Sequence, residues 1–286
     1  MLDLLSGGRL DLGAGRGATL QEMSLCGVDP ERTYAEMEES LQMIGAMWQQ
    51  DSFEWHGESI TVEPPPGRES HAVLPRPEQL PHPPLYLACT KNDTVRLAAE
   101  YGVGALVLGF AGVEDVAQMR RLYDETIATR DGSRFVSTVV NDHLSALCPT
   151  IVLDDADEAF RIGARGQRFF AEAIAHWYGG GPPPDERTDL GSDENLAAIE
   201  ADKERLAAKM HEANIPLRPN SLATFNVNHA YGTAADAIAY VERLERAGAD
   251  EIMCLIQMGT VPQEICMETI KQWGDKVIPY FRNRER

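Results

Sequence analysis

The chain has 286 residues, with 26 Lys and Arg against 45 Asp and Glu, a formal net charge of −19. That acidic balance excludes a nucleic-acid groove or an anionic membrane face as the main partner surface, because both reward a basic protein. With 43% apolar and 25% charged residues the composition is that of a folded globular protein, which excludes wholesale disorder.

Leu2 to Leu5 followed by Ser6-Gly7-Gly8 reads as the last turn of a helix with a glycine stop. Arg9 to Gly15 alternates as a short strand, with Leu10 and Leu12 on one side. Asp29-Pro30 signals a helix start, and Tyr34, Met37, Leu41, Ile44, Met47 and Trp48 continue it at helical spacing. Phe53 to Glu63 reads as a small hairpin with Gly57 near its tip, and 64–84 as a proline-rich ordered surface loop. A strand is expected at Leu85 to Cys89. Thr90-x-x-Asp93 then reads as a capping box for a helix over Thr94 to Tyr101, stopped by Gly102.

Val103 to Gly109 is the next strand, Val113 to Thr129 a helix, and a further strand lies within Asn141 to Leu153. A long helix covers Ala156 to Tyr178, broken by the Gly-Pro run that opens a loop excursion over 179–192. Asp193 to Asn214 reads as a charged helix. Gly232-Thr233-x-x-Asp236 caps another, ending at Gly248. Glu251 to Gln257 is the last strand, and a closing helix runs from about Pro262 to Tyr280. Strands near residues 10, 86, 106, 147 and 254 alternating with helices predict an α/β fold with a parallel sheet, in a single domain over 1–286.

No run approaches the roughly 18 apolar residues of a membrane helix. Met1 to Ser6 lacks the basic and apolar regions of a secretory signal. Five cysteines, at 26, 89, 148, 254 and 266, form no Cys-x-x-Cys and point to reduced thiols in a cytoplasmic protein. No His-Glu-x-x-His, Gly-x-Ser-x-Gly or Gly-Lys-Ser/Thr segment occurs, so metalloprotease, α/β-hydrolase and P-loop chemistry drop out.

The segment most able to carry chemistry is Gly13-Ala14-Gly15-Arg16-Gly17. Glycines let the backbone approach a ligand, and Arg16 offers a fork of N–H donors suited to a phosphate. The same residues also read as a plain βα turn with a surface arginine. Gly13-x-Gly15-x-x-Ala18 fits the loose dinucleotide fingerprint, but a Rossmann unit needs an immediate helix and a second strand about 30 residues on. Here the next clear helix is expected near residue 30 and the next good strand at Leu85.

The second segment is Cys89-Thr90-Lys91-Asn92-Asp93-Thr94, again a strand entering a helix N-terminus. Amides there attract an anion, with Lys91 adding charge and Thr94 a hydroxyl; alternatively Thr90 and Asp93 only cap the helix. Cys89 reads more simply as a packed small residue than as a nucleophile. In an α/β barrel functional groups gather where strands end, so both segments would share one rim. His82 in the proline run, His143 in a strand and the His176-Trp177-Tyr178 helix end read as structural, and Met253, Met258 and Met267 as core.

Leu2-Asp3-Leu4-Leu5-Ser6-Gly7-Gly8-Arg9 with Gly13-Ala14-Gly15-Arg16-Gly17 resembles the fourth-strand signature of the bacterial-luciferase-like flavin-dependent monooxygenases. The resemblance continues through Pro81 to Thr90, Thr94 to Gly102, Gly232-Thr233 and Val277-Ile278-Pro279, nearly the whole chain. It implies a (β/α)8 TIM-type barrel lacking about the first three strand–helix units, and reduced FMN, or the deazaflavin F420, as cofactor. Arg16, between Gly15 and Gly17, matches the arginine that holds the FMN phosphate. Lys91 and Thr94 match the turn that completes that site, and Cys89 and Thr90 match positions beside the flavin ring. Where luciferase has a reactive cysteine before the arginine this chain has Gly15, so cysteine-dependent tuning of the flavin is not expected. The family's acid–base histidine belongs to the units that precede this sequence, and no residue here inherits that role.

The activity implied is oxygenation of a small organic substrate, such as an aldehyde or ketone, by reduced FMN and O2. F420-dependent hydride transfer, or flavin binding without turnover, are the alternatives. A flavin reductase and a second copy in a homodimer are the implied partners, with no nucleic acid, membrane or metal.

Overall fold

The computed structural model describes residues 1–17, 19–68, 71, 73–108, 112–179 and 228–284. The helix predicted over Asp193 to Asn214, the excursion beyond Gly179 and Ala18 lie outside them. The described chain divides into two compact units, Met1–Val107 with Arg121–Leu144, and Leu108–Arg120 with Ser145–Arg286.

In the first unit, α1 (Leu2–Ser6) ends at Gly7 in the left-handed region and leads to β1 (Leu12–Ala14). β1 lies parallel to β4 (Leu85–Cys89) with Leu12 opposite Leu85 and Ala14 opposite Leu87. β4 in turn lies parallel to β5 (Gly104–Val107), Tyr86 opposite Gly104 and Cys89 opposite Val107. Leu85, Leu87 and Cys89 are buried, as are Val95, Ala98 and Ala99 of α4 (Asn92–Tyr101), which follows β4. Tyr123 places its hydroxyl 2.9 Å from the carbonyls of both Val103 and Asn141.

Two helix starts differ from expectation. Thr19 and Glu22 form a capping box on a short helix the periodicity did not reveal, α2 (Leu20–Leu25). The next, α3 (Thr33–Gln49), begins three residues after Pro30. Asp29 instead spends its carboxylate on the Glu31 amide at 3.0 Å, closing a turn ahead of the helix.

The hairpin is present as β2 (Trp55–His56) and β3 (Thr61–Val62), antiparallel. Glu39 of α3 holds it from beneath, accepting from the Trp55 indole at 3.1 Å and from the amides of Ser59 and Ile60 at 2.8 and 2.9 Å. A Cβ at Gly57 would sit 1.7 Å from this carboxylate, so the tip glycine leaves room for the acid. Desolvation pushes the Glu39 pKa up, but the Ser59, Trp55 and Ile60 donors outweigh it and hold the group below its ordinary 4.5. A carboxyl held low contributes its stability above the unfolded value and loses it as pH falls through the folded one. Protection of the Ser59 and Ile60 amides from hydrogen exchange is therefore expected to fall as pH drops below about 4.5. In Glu39→Gln the protection should be low throughout; a variant that kept wild-type protection would remove Glu39 from this role.

Of the 64–84 segment, the part around Arg76 and Gln79 is held by side-chain ties. Arg76 donates to the Trp48 carbonyl at 2.6 Å and pairs with Asp51 at 3.0 Å, and the Gln79 amide donates to Asp3 at 2.8 Å. Arg134 clamps α3 to α4, bonding Glu38 through Nε at 2.8 Å, together with Glu100 and the Tyr101 hydroxyl.

α5 (Val113–Thr129) begins in the second unit and ends in the first. In the second unit β6 (Leu144–Val152, from Ser145) lies parallel to two strands in succession. Ser145 to Pro149 face β8 (Glu251–Leu255), and Thr150 to Val152 face β7 (Ala230–Gly232), a strand too short to show in the sequence. Ile151, Leu153, Ala159, Tyr231, Met258, Val261 and Cys266 form a core, joined by α6 (Ala156–Gly179). α7 (Ala234–Arg246) carries the predicted Thr233–Asp236 capping box.

The closing helix is continuous but not regular throughout. α8 (Gln263–Gln272) widens into a π turn over Trp273–Val277 and resumes as α9 (Ile278–Arg284). Pro279 explains the widening, since its ring would collide with the carbonyl four residues back in a regular helix. Met267, expected in the core, is 57% exposed, whereas Met258 is fully buried and Met253 half-buried. Among the described residues no helix is long and apolar enough to cross a membrane.

Candidate functional site

Parallel pairing of β1 with β4 brings the two sequence segments together in the first unit. Gly15, Arg16 and Gly17 follow Ala14 at the end of β1, and Thr90 and Lys91 follow Cys89 at the end of β4. Gly15, Arg16, Gly17, Thr90 and Lys91 are all exposed. Gly17 has a φ of 85°, a conformation that favours glycine.

Arg16 and Lys91 converge on Tyr34 of α3. The Arg16 guanidinium lies 4.5 Å from the centre of the Tyr34 ring, and the Lys91 ammonium 5.9 Å from it. Arg16 also donates to the Thr33 hydroxyl at 3.3 Å, and that hydroxyl donates to the Pro30 carbonyl at 3.0 Å. Among the described residues neither cation has a carboxylate partner, in a chain of net charge −19. Sequence reasoning missed Thr33 and Tyr34 because Tyr34 falls on the periodic apolar face. The later start of α3 places Tyr34 in the first helical turn, where it remains 36% exposed.

Thr94 is buried and its hydroxyl is occupied. It accepts from the amides of Thr90 and Lys91 at 3.2 and 3.4 Å and donates to the Lys91 carbonyl at 2.8 Å. The capping box expected on Thr90 and Asp93 does not form. Lys91 is the N-cap, and Asp93 pairs with Arg96 at 3.4 Å. The hydroxyl that organises the turn comes from inside the helix, which leaves the Lys91 side chain over Tyr34. Cys89 is fully buried, its Sγ 3.2 Å from the Leu87 carbonyl and 3.3 Å from that of Thr94. Burial pushes its thiol up to about 12, so it stays protonated at neutral pH.

Among the described residues, the histidines His82, His143 and His176 pack against aromatic neighbours. His82 is buried against Trp48, with ring centres 5.6 Å apart, and bonds the Pro83 carbonyl and the Ser137 hydroxyl. His143 meets Tyr86 edge-on at 5.5 Å, and His176 meets Trp177 at the same distance. Among the described residues no group of three His, Cys, Asp or Glu could hold a metal ion. What the two strand ends offer is Arg16 and Lys91 each against the Tyr34 ring, with no carboxylate partner among the described residues, beside exposed glycine backbone and the start of the ten-residue α4. Those groups suit a phosphoryl anion, and so they fit the phosphate end of a flavin nucleotide.

The sequence profile of the luciferase-like monooxygenases matches residues 1–251, and the chain belongs to that family. Its fold resembles monooxygenase RslO1 from Streptomyces bottropensis, at 18% identity and a TM-score of 0.65, over 98% of this chain and 71% of that one. It also resembles the coenzyme F420-dependent tetrahydromethanopterin reductase of Methanopyrus kandleri, at 17% identity and 0.60, covering 98% and 76%. A third neighbour is the oxygenating constituent of 3,6-diketocamphane monooxygenase from Pseudomonas putida, a type II Baeyer-Villiger enzyme in complex with FMN. It shows 15% identity and 0.60, covering 97% and 72%. The fold class is α/β with parallel strands, of the TIM-barrel type found in these neighbours.

Proposed function

We propose that the protein is a flavin-dependent monooxygenase that uses reduced FMN and O2 to oxygenate a small organic substrate, such as an aldehyde or ketone. The observation that carries this reading is the convergence of Arg16 and Lys91 on Tyr34, without carboxylate partners among the described residues, in a member of a monooxygenase family. FMN, when bound, supplies the redox chemistry that activates O2. The chain's own residues bind and orient. Arg16 offers a planar fork to the phosphoryl oxygens and Lys91 a second positive charge. The amides at the start of α4 add donors along the helix dipole. Thr94 shapes the turn that presents them. Gly15 and Gly17 leave the backbone open to the ligand. Cys89 and Thr90 flank the site at the end of β4, and neither takes part in proton transfer in this reading.

A flavin reductase supplying reduced FMN, a cytoplasmic location and a homodimeric assembly go with this function. The test is O2 uptake by the full chain with a reductase, FMN and a panel of aldehydes and ketones. Substrate-dependent uptake with an oxygenated product is the expected result. The Methanopyrus kandleri neighbour motivates a second reading, hydride transfer with F420. Anaerobic F420 turnover without O2 consumption would select it. Saturable flavin binding with neither reaction would leave a binding protein without turnover.

A further inference from the structure

We propose that Tyr34 is a positioning residue that holds both Arg16 and Lys91 against its ring, so that the site selects a dianionic phosphomonoester over a phosphodiester or a ligand without phosphate. This rests on the phosphate reading of the rim and goes further, naming what makes two cations act as one site and which phosphate chemistry they prefer.

Two like charges brought together repel, and both side chains are long and exposed. Elsewhere in the first unit Arg134 is held by two carboxylates, Glu38 and Glu100. At the rim no acid does this among the described residues, and the negative face of an aromatic ring stands in its place. A ring attracts cations without cancelling their charge. An acid at position 34 would hold the same side chains but would consume the positive potential that a ligand needs. Thr33 adds direction by accepting one Arg16 N–H, leaving the remaining donors of the guanidinium fork for a ligand. The Thr33 hydroxyl is itself fixed by the Pro30 carbonyl, and Thr33 is buried, so the anchor does not turn freely.

Two undiminished charges match a ligand carrying close to two negative charges. A phosphomonoester such as FMN reaches that state above its second pKa, about 6. A phosphodiester such as F420 carries one charge on its phosphorus, and riboflavin has no phosphate.

The experiment is an anaerobic spectral titration of the full chain with reduced FMN and reduced riboflavin, between pH 5.5 and 7.5. Wild type is expected to bind FMN at least tenfold tighter than riboflavin at pH 7.5, with the ratio falling at pH 5.5. Tyr34→Phe keeps the ring and should keep both the ratio and its pH step. Tyr34→Leu, with Tyr34→Met as a second ringless variant, should reduce the ratio about threefold or more and flatten the step, leaving riboflavin affinity unchanged. A merely structural tyrosine would weaken both flavins together. Equal binding of the two flavins by wild type would overturn the phosphate reading itself. A wild-type ratio that survives in the ringless variants, or disappears in Tyr34→Phe, would leave the phosphate site standing and overturn the role of the ring.

Discussion

Arg16→Ala is expected to weaken binding of reduced FMN by about 10- to 100-fold while leaving reduced riboflavin unaffected. Charge-assisted hydrogen bonds contribute roughly 1.5–3 kcal/mol, and each 1.4 kcal/mol is a factor of about ten. The substitution should leave the fold intact, because among the described residues Arg16 contacts one hydroxyl and one ring face at an exposed position. Arg16→Lys restores charge but not the planar fork, so it should recover only part of the loss. The measurement is the anaerobic titration together with a thermal melt. An Arg16→Ala protein that melts normally and binds FMN within threefold of wild type would remove the arginine from the phosphate site.

Gly45→Ala is expected to destabilise the protein by about 3 kcal/mol, a large effect for a single methyl group. A Cβ at Gly45 would lie 2.1 Å from the Val136 carbonyl oxygen, a backbone atom that no rotamer change can move. α3 would have to back away from the segment carrying Arg134, Val136 and Ser137. That segment is bound to α3 through Glu38, and to His82 through Ser137. Urea unfolding should show a lower midpoint at unchanged slope. Because α3 also carries Thr33 and Tyr34, preference for FMN over riboflavin should decline in the same variant. A loss below about 0.5 kcal/mol, the usual range for surface substitutions, would mean that the contact relaxes freely.

Elements with strong local signals were legible in the sequence. β4, β5 and α4 lie close to their expected places because an apolar run, a helix and a glycine stop follow one another there. The missed elements are those whose signals are short. β7 has three residues, and α2 announces itself by Thr19 and Glu22 rather than by an apolar stripe. Strand β6 was found despite Pro149, which a local rule would send to an edge or an end.

At the site, Arg16 and Lys91 were legible because cations after strand ends carry a physical meaning by themselves. Tyr34 was not, since an aromatic at a helical apolar spacing looks like core until the helix start is known. The role of Thr94 was legible as a hydroxyl near the turn, but the three backbone bonds that occupy it follow from the turn's conformation.

Pro149 stands where β6 changes neighbours: its own residue pairs with Leu255 of β8, and the next, Thr150, pairs with Ala230 of β7. At such a joint the backbone leaves one hydrogen-bonding ladder before it has entered the other, and an amide hydrogen caught between them would be buried without an acceptor. Proline has no amide hydrogen to strand. A residue that ordinarily interrupts sheets thus stands where one unbroken strand passes from β8 to β7.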